Sequence, residues 1–510
     1  MYADGFAIDK PAMNPNARVN LAIIQPSGYV HSLGFLDQAR FFRHQFRRLG
    51  AEVTLSKNRL REDAINLVFG AHLGFPDEWQ QRNPCVFVNL EQLGLGGARV
   101  EPEYLALLKR SAVVDYDQSH LAAYREQAGK APIISFAYAS YLEPQVSIPL
   151  AQRPIDLLFI GSMSPRRQQM IDRVEAAGVK VSCFDKALYG PERDEFVEQA
   201  KAVLNCHFDP SNCFEQARAF QCLSLGTPVI SERLASTRPS AAFEDSVIWL
   251  PDEQIDAYFA QTFGRAEFFE QAQRSLAAFR LTDEAHDPLA SYAALLAYAG
   301  DVFKQHRDSK PQGPWAPHLV HLGAGKDYKP NWLNVDLLEL NQPDLLLDLA
   351  KPLALPIEMA SLMGGSVRLE ASSVDVICAK EILAKTPDLT RLMTNALALL
   401  KEAGELQIEV PYAKSATALH DPQQLREMTE ASWTYFTDWF WKIGWFAHRF
   451  EISSFSWLDL ARKPCEQERA VLMRLVLRKV ATTPHERNHA RSMAVDFGGF
   501  EDDRTIEAVD

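Results

Sequence analysis

The chain has 510 residues, of which 47% are hydrophobic and 23% are charged, and its formal net charge at pH 7 is −13. This length predicts about two to four domains, and the negative charge argues against a general nucleic-acid-binding protein, which needs a basic surface. The chain contains no apolar run of about 18 residues, so the sequence predicts no membrane span. Its seven cysteines are scattered and include no Cys-x-x-Cys pair, which indicates reduced thiols.

Short apolar runs alternate with helix-like segments through the first half of the chain. VNLAIIQP precedes a segment whose apolar residues step by three or four from Leu36 to Leu49. AEVTLS, NLVFGAHL, PCVFVNL, SAVVDYD and APIISFAY are further strand candidates. A second series begins near Ile155 with DLLFIGS and continues through VKVSCF, AVLNCHF and PVISE, and residues 252–305 have helical periodicity. This alternation predicts an α/β fold with mostly parallel sheets.

We expect three domains from these runs. The first two α/β domains cover residues 1–150 and 151–305. The proline-containing stretch QHRDSKPQGPWAPH predicts a linker at 306–316. A third α/β domain covers 317–480, and a polar tail covers 481–510. The N-terminal stretch lacks a signal-peptide pattern, so we expect a cytoplasmic protein. Peripheral contact with a membrane and the oligomeric state stay open.

A helix follows a strand end in the stretch NCHFDPSNCFEQARAFQCLSLGTPVISE. The N-terminus of such a helix favours a diphosphate, because its free N–H groups and dipole attract negative charge. Glu215 can accept hydrogen bonds from ribose hydroxyls, and Arg218 can bind phosphate oxygens. The same two residues, one turn apart, can also form an ordinary solvated ion pair.

This stretch, together with DLLFIGSMSPRRQQMIDRVEAAGVKV before it, resembles the C-terminal domain of two-Rossmann (GT-B) glycosyltransferases. It is most similar to bacterial glycosyltransferases related to the spore-maturation CgeB group. The resemblance covers about residues 150–250 and implies a nucleotide-diphosphate sugar as donor, no metal ion, and a glycan, glycolipid or glycoprotein acceptor. The donor-site residues that it implies are Gly161, Ser162, Arg166 or Arg167, His207, Glu215 and Arg218. Leu223 stands where the family usually has a second glutamate.

In the first domain, three loops that follow predicted strands contain candidate site residues. Gly28 would border the donor nucleotide, and His31, His72 and Glu91 are alternatives for the general base that accepts the acceptor's proton. We favour His31 because its loop is rich in glycine, although each candidate can equally be a hydrogen-bonded structural residue. Asp115–Asp117 has the D-x-D spacing of a metal site but ends a core strand, so we expect no metal there.

The third domain opens with HLGAGKDYKPNWLNVD. Gly323 and Gly325 end a predicted strand and let a ligand approach the backbone closely. Asp336 ends the next strand, where it can bind both ribose hydroxyls, as in NAD and S-adenosylmethionine folds. The stretch lacks the third glycine of an NAD-binding loop.

The segments DLLLDLAKPLALP, SSVDVICAKEILAK and LLKEAGELQIEVPY extend this pattern, and residues 318–460 resemble class I S-adenosylmethionine-dependent methyltransferases. The resemblance implies that Gly323 and Gly325 face the methionine part of S-adenosylmethionine, Asp336 holds its ribose, and Asp348 and Leu349 border its adenine. The chain departs from the family's sequence pattern in two places outside these cofactor-binding residues. The family's histidines after the fourth strand are replaced by the KEILAK segment, 380–385, and PIEMASLMGGSVRLEAS is inserted before that strand.

Two functional hypotheses follow. In the first, the chain is a bifunctional enzyme that adds a sugar and methylates the same glycan. In the second, it is a glycosyltransferase with a non-catalytic methyltransferase-like binding or docking domain, which the altered KEILAK segment favours. A purely structural scaffold fits least well, because the paired charges at Arg166, Arg167, Glu215 and Arg218 would then have no ligand.

Overall fold

The computed structural model describes residues 17–94, 97–125, 131–184, 187–208, 213–234, 237–285, 288–309, 313–415 and 420–495. The chain divides into two compact units: unit 1 is Met1–Lys310 and unit 2 is Pro311–Asp510. Along the described ranges, no helix is long and apolar enough to cross a membrane.

The first sheet of unit 1 has five parallel strands in the order β2-β1-β3-β4-β5. Its strands are β1 Arg18–Ile23, β2 Glu52–Lys57, β3 Ile65–Phe69, β4 Cys85–Val88 and β5 Ala112–Val114, and its helices are α1 Leu36–Arg48, α2 Glu78–Arg82 and α3 Pro102–Arg110. The predicted strand APIISFAY forms only an isolated bridge between Ile133 and Asp115. Its apolar side chains Ile134 and Phe136 are nevertheless buried, which explains why the run looks like a strand.

The second sheet of unit 1 also has five parallel strands, in the order β10-β9-β8-β6-β7. Its strands are β6 Ile155–Phe159, β7 Val181–Cys183, β8 Ala200–Asn205, β9 Val229–Arg233 and β10 Ile248–Pro251. The helices are α4 Pro165–Ala176, α5 Pro191–Gln199, α6 Gln216–Ser224, α7 Ala241–Glu244, α8 Ile255–Gln261, α9 Ala266–Arg280, α10 Thr282–Ala285 and α11 Pro288–Ser309. Helix α6 begins three residues later than the sequence pattern indicates.

Helix α11 returns to the first sheet and packs against α1, β3 and β4. Tyr292 of α11 is fully buried, and its ring lies 5.0 Å from that of Phe42 on α1. One apolar core therefore extends through both sheets of unit 1. The helix also continues to Ser309, over the first residues of the predicted linker, while residues 310–312 of that linker lie outside the described ranges.

Unit 2 contains an eight-stranded sheet in the order β13-β12-β11-β16-β17-β20-β18-β19, parallel from β13 to β17 and antiparallel at the β17/β20, β18/β20 and β18/β19 pairs. Its strands are β11 Leu319–Leu322, β12 Leu333–Asp336, β13 Leu345–Leu346, β16 Val374–Lys380, β17 Leu400–Pro411, β18 His448–Leu458, β19 Pro464–Cys465 and β20 Leu472–Ala481. The inserted segment forms a hairpin of β14 Ile357–Ala360 and β15 Ser366–Leu369. The helices are α12 Leu389–Leu399, α13 Thr434–Thr437 and α14 Pro484–Met493.

Helix α14 occupies part of the predicted polar tail. The Thr483 hydroxyl accepts a hydrogen bond from the Glu486 backbone N–H, and the Glu486 carboxylate accepts one from the Thr483 N–H. This reciprocal pair is a capping box, which stabilises a helix start. Residues 496–510 of the tail lie outside the described ranges.

Each parallel region has a point where the chain changes direction across the sheet. Strand β1 lies between β2 and β3, β6 between β7 and β8, and β11 between β12 and β16. A crevice opens at the carboxyl ends of the strands at such a point, and ligands of open α/β sheets bind there. The α/β fold class predicted from the sequence, with three Rossmann-like sheets, is confirmed.

Candidate functional sites

A cavity of about 810 Å³ lies at the carboxyl ends of the two sheets of unit 1. Loop and helix residues that follow strands of both sheets line it, and six of them are site residues predicted from the sequence: Glu91, Gly161, Ser162, Arg167, Glu215 and Arg218. The cavity is thus bordered by the loops that follow β4, β6 and β8, as the direction change in each sheet leads one to expect.

Glu215 directly precedes α6, and its carboxylate is almost completely buried among donors. Its Oε2 atom accepts a hydrogen bond from Asn205 Nδ2 at 2.9 Å and lies 3.1 Å from His207 Nδ1. Its Oε1 atom lies 3.7 Å from Arg167 Nη2 and 4.0 Å from Arg218 Nη2. Burial alone would raise the pKa of Glu215, but the hydrogen bond and charge of His207, with Arg218 and Asn205, lower it to about 2. The residue is therefore a carboxylate at neutral pH.

Arg167 and Arg218 both reach the loop after β6. Arg167 donates to the carbonyls of Ser162 at 2.8 Å and Cys206 at 3.0 Å, and Arg218 donates to the carbonyl of Ile160. A Cβ atom at Gly161 would lie 2.8 Å from Arg218 Nη1 and 2.9 Å from Arg167 Nη1. Because Gly161 has no side chain, the guanidinium groups of Arg167 and Arg218 can both lie against its backbone. This arrangement concentrates positive charge where a diphosphate can bind.

We expect Gly161→Ala to weaken the binding of nucleoside diphosphates by roughly tenfold, about the value of one lost charge-assisted hydrogen bond. The new Cβ would displace both guanidinium groups, and the backbone φ of +146° also disfavours a side chain. Gly178→Ala is the matched control, because Gly178 has φ +90° but no atom within 4 Å of its Cβ position. Calorimetric titration with nucleoside diphosphates should separate the two variants, and equal losses of affinity would contradict this role for Gly161.

Arg166 and His207 lie behind the cavity and do not line it. Arg166 forms two hydrogen bonds of 2.5 Å with the carboxylate of Glu232, which also accepts the backbone N–H of His207. The His207 side chain is fully buried against Glu215. Of the two alternative arginines in the sequence, Arg167 faces the cavity and Arg166 supports the strand ends beneath it.

The His207–Glu215 pair predicts a pH-dependent stability. Burial would lower the pKa of His207, but the hydrogen bond and charge of Glu215 raise it above its ordinary 6.5. The stabilisation from His207 is therefore complete below pH 6.5 and is lost as the pH rises through the raised pKa. The stabilisation that Glu215 contributes to the folded state is complete above its ordinary pKa of 4.5 and is lost only as the pH falls toward 2.

A double-mutant cycle of His207→Gln and Glu215→Gln, followed by urea unfolding, measures this interaction. We expect a stabilising coupling near pH 6, where the imidazolium of His207 faces the carboxylate of Glu215. The coupling should decline above neutral pH. A coupling that stays constant up to alkaline pH would contradict the pairing.

The three candidate bases differ in position. Glu91 lines the cavity, and His72 lies behind it with Nε2 3.5 Å from Glu91 Oε1. His31 does not line the cavity, although its Nδ1 lies 2.7 Å from the hydroxyl of Tyr189, which does. Gly28 is also away from the cavity lining; its φ of +74° accounts for the glycine. Glu91, supported by His72, is thus better placed than the favoured His31.

The D-x-D segment serves the core of the first sheet. The Asp115 carboxylate is buried, and it accepts hydrogen bonds from Asn89 Nδ2 at 2.8 Å and from the Tyr124 hydroxyl at 2.9 Å. It also lies 2.8 Å from His120 Nδ1. Asp117 accepts the backbone N–H of Ser119. These partners account for the two acids as structural residues.

Several cavity residues carry no motif in the sequence: Asp37, Arg99, Tyr189, Arg193, Phe208 and Gln221. Arg193 of α5 binds Asp37 of α1 at 2.7 Å and Asp194 at 2.6 Å, which joins the two halves of unit 1. The guanidinium carbon of Arg167 lies 5.2 Å from the ring of Phe208. Only the packing of the two sheets brings these side chains together, so spacing along the chain gave no signal for them.

A second cavity, of about 550 Å³, lies at the carboxyl ends of β11 and β12 in unit 2. All five residues predicted for S-adenosylmethionine line it: Gly323, Gly325, Asp336, Asp348 and Leu349. Half-exposed apolar side chains, Leu337 and Leu338, also border it. A carboxylate beside apolar surfaces fits the ribose and base of a nucleoside.

Asp336 is held in place by three hydrogen bonds within unit 2. Its Oδ2 accepts the backbone N–H of Gly325 at 2.8 Å and Asn341 Nδ2 at 3.0 Å. Its Oδ1 accepts the backbone N–H of Leu338 at 2.9 Å. A carboxylate has about four lone-pair positions, so at least one remains for a ligand hydroxyl.

Gly323 has a neighbour that the sequence does not reveal. The side chain of Ile382 lies on it, and a Cβ atom at Gly323 would be 2.1 Å from Ile382 Cγ2. The φ of Gly323 is also +65°. A glycine is therefore required here by internal packing as well as by any ligand.

The KEILAK segment contributes Ile382 and Lys385 to the cavity wall. Lys385 Nζ lies 2.6 Å from Asp421 Oδ2. Glu381 turns away and pairs with Arg462, which also binds the buried Glu409 at 2.5 Å. Where the family has histidines, this chain thus has Glu381 and Lys385, whose ion pairs connect the KEILAK segment to neighbouring loops.

No protein-family model matches the chain. An uncharacterized protein of Acanthamoeba polyphaga mimivirus is 26% identical over 157 residues, which cover 29% of this chain and 48% of that protein. A second uncharacterized mimivirus protein is 33% identical over 78 residues, 15% of this chain and 9% of its own length. The chain thus spans about half of the first relative and a small part of the second.

Solved structures of two kinds are similar to the chain. AviGT4, a glycosyltransferase involved in avilamycin A biosynthesis, is 14% identical with a TM-score of 0.34 over 55% of this chain and 98% of AviGT4. Anabaena HepE, solved with UDP and glucose, is 11% identical with a TM-score of 0.34 over 57% and 99%. A Mesorhizobium loti S-adenosylmethionine-dependent methyltransferase is 14% identical with a TM-score of 0.21 over 34% and 96%. No site assignment follows from likenesses at these TM-scores.

Proposed function

We propose that unit 1 is a glycosyltransferase that moves a sugar from a nucleotide-diphosphate sugar to a hydroxyl of a glycan, glycolipid or glycoprotein. The observation that carries the proposal is the convergence of Arg167 and Arg218 on Gly161, with the ionised Glu215 beside the two arginines, at the wall of the cavity. Two cations suit a diphosphate, and the carboxylate beside them suits the ribose hydroxyls.

In the proposed reaction, the bond between the sugar's anomeric carbon and the diphosphate oxygen breaks, and a bond to the acceptor oxygen forms. Arg167 and Arg218 stabilise the negative charge that develops on the leaving diphosphate. Glu91 accepts the proton of the acceptor hydroxyl, and His72, 3.5 Å away, orients the Glu91 carboxylate. The acceptor enters from the side of the first sheet, to which both residues belong.

We propose further that unit 2 binds S-adenosylmethionine, which supplies a methyl group when bound. Asp336 would hold the ribose, Asp348 and Leu349 would border the adenine, and Gly325 would let the methionine part approach the backbone. In the bifunctional hypothesis the methyl group is transferred to the same glycan. The second hypothesis, a non-catalytic docking domain, is favoured by the engagement of Lys385 with Asp421 and of Glu381 with Arg462.

Thermal unfolding with UDP-, GDP- and dTDP-sugars and, separately, with S-adenosylmethionine tests both sites. A ligand that binds the native state raises its stability by mass action, by about 2.7 kcal/mol at 100 times the dissociation constant. We expect one nucleotide sugar and S-adenosylmethionine each to raise the melting temperature. No response to any nucleotide sugar would contradict the function of unit 1, and no response to S-adenosylmethionine would contradict that of unit 2.

Methyl transfer distinguishes the two hypotheses for unit 2. If S-adenosylmethionine binds, its radiolabelled methyl group should appear in the glycosylated product of unit 1 under the bifunctional hypothesis. Binding without transfer to that product would support the docking hypothesis.

A further inference from the structure

The solvent-facing side of α1 is strongly basic. Phe42 and Phe46 face the core, while Arg40, Arg43 and Arg47 follow one another at helical spacings of three and four on another side. We call these three residues the arginine face. Arg40 and Arg43 are partly exposed and Arg47 is exposed.

Close counterions of the arginine face are scarce among the described residues. None of its three members forms a salt bridge with a residue in the described ranges. The neighbouring acids bind other arginines, since Asp37 and Asp194 bind Arg193 at 2.7 and 2.6 Å and Asp283 binds Arg48 at 2.7 Å; of these, Asp194 also interacts electrostatically with Arg40. The guanidinium group of Arg40 lies 5.6 Å from the ring of Tyr141, which provides a weak neutral contact.

The three arginines repel one another. Burial lowers the pKa of Arg43, and the charges of Arg47 and Arg40 lower it further. Like charges one turn apart destabilise a helix. A cationic cluster that disfavours the fold, in a chain with a net charge of −13, suggests that an anionic partner supplies the missing charge.

Apolar side chains precede α1 in the short helical turn that leads into it. Tyr29, Val30 and Leu33 are 40%, 44% and 37% exposed. This turn is continuous with α1, because Leu36 N–H donates to the carbonyl of Leu33. Cations combined with exposed apolar and aromatic groups are typical of surfaces that bind the interface of an anionic membrane.

We propose that the arginine face of α1 binds the anionic headgroups of a lipid bilayer surface. A bilayer matches both the charge and the apolar residues, whereas a nucleic acid would match only the charge. The attachment is peripheral and reversible. It does not rest on the proposed function, because a bilayer surface can be bound whatever the two cavities contain.

Co-sedimentation with vesicles tests this proposal. We expect the full chain to bind vesicles of phosphatidylcholine mixed with phosphatidylglycerol, and to bind phosphatidylcholine alone weakly or not at all. Each cation near an anionic surface contributes about a fivefold factor in binding. The triple variant Arg40→Gln, Arg43→Gln, Arg47→Gln should therefore bind roughly 100-fold more weakly. Binding of the unaltered chain should also fall between about 0.1 M and about 1 M salt, as the screening length shortens.

The matched control is the triple variant Lys57→Gln, Arg265→Gln, Arg274→Gln, which removes three exposed cations of unit 1 outside the arginine face. It should bind vesicles like the unaltered chain. Thermal unfolding should show that both variants are folded. Equal vesicle binding by the two triple variants would overturn the proposal. So would binding of the unaltered chain to heparin or single-stranded DNA without binding to anionic vesicles.

Discussion

Replacing Glu215 by glutamine should weaken the binding of nucleoside diphosphates by roughly 100-fold and abolish sugar transfer. The amide keeps the size of the side chain but removes the charge that balances His207, Arg167 and Arg218. A hydrogen bond to a charged group is worth about 1.5–3 kcal/mol, and a ribose offers two hydroxyls to this carboxylate. The loss should be measured by calorimetric titration with the nucleoside diphosphate that binds the unaltered chain.

Glu195→Gln is the control for this substitution, because Glu195 is an exposed acid on α5 and makes no contact with the cavity. Glu215→Gln should also lower the stability by about 3–5 kcal/mol, as expected when a buried ion pair loses one partner. If that loss of stability prevents folding, Arg218→Gln is the substitute variant. Arg218 lines the same cavity but is partly exposed, so its replacement should cost less stability. Unchanged nucleotide affinity in a folded Glu215 or Arg218 variant would contradict the proposed donor site.

Replacing Asp336 by asparagine should weaken the binding of S-adenosylmethionine by roughly 100-fold. The carboxylate accepts two backbone N–H groups, from Gly325 and Leu338. An amide nitrogen would be a donor facing one of those donors, so the side chain would rotate away from the ribose position. The charge-assisted hydrogen bond to a ribose hydroxyl, worth about 1.5–3 kcal/mol, would be lost. Equilibrium dialysis with labelled S-adenosylmethionine measures the change.

Glu339→Gln removes an exposed charge three residues away and serves as the control, with an expected affinity close to that of the unaltered chain. The Asp336 and Glu215 variants also control each other. Asp336→Asn should leave nucleotide binding unchanged, and Glu215→Gln should leave S-adenosylmethionine binding unchanged. An unchanged affinity for S-adenosylmethionine in Asp336→Asn would contradict the assignment of the second cavity.

Local patterns in the sequence anticipated the strands and helices well. The helix after β1 and the strand–helix series from Ile155 lie where the apolar periodicity predicts them. The same logic failed for APIISFAY, since buried apolar side chains also occur in irregular segments that cross between two sheets. The family resemblance marks PIEMASLMGGSVRLEAS as an insertion, but its hairpin depends on pairing between β14 and β15, which the sequence pattern does not predict.

For the candidate sites, the sequence was most informative where a residue lies at the end of a strand or within a few residues after it. Gly161, Asp336 and Glu91 line cavities because the carboxyl ends of parallel strands meet at one edge. It was least informative for contacts between distant segments. The sequence could not show that Arg166 pairs with Glu232 or that Ile382 covers Gly323, because both contacts depend on the packing of separate loops.

The return of α11 to the first sheet bears on how unit 1 is made during synthesis. Phe41, Phe42 and Phe46 of α1 pack around Tyr292, about 250 residues later in the chain. Until the ribosome has released that segment, three large aromatic side chains of the N-terminal half lack part of their cover, although Phe69 and Phe136 already contact two of them. Domains commonly fold as they emerge, but here the packing of the first sheet is completed by a helix that follows the second sheet in the chain. We therefore expect the two halves of unit 1 to fold together, and an N-terminal fragment ending near residue 150 to expose the apolar surface that α11 covers.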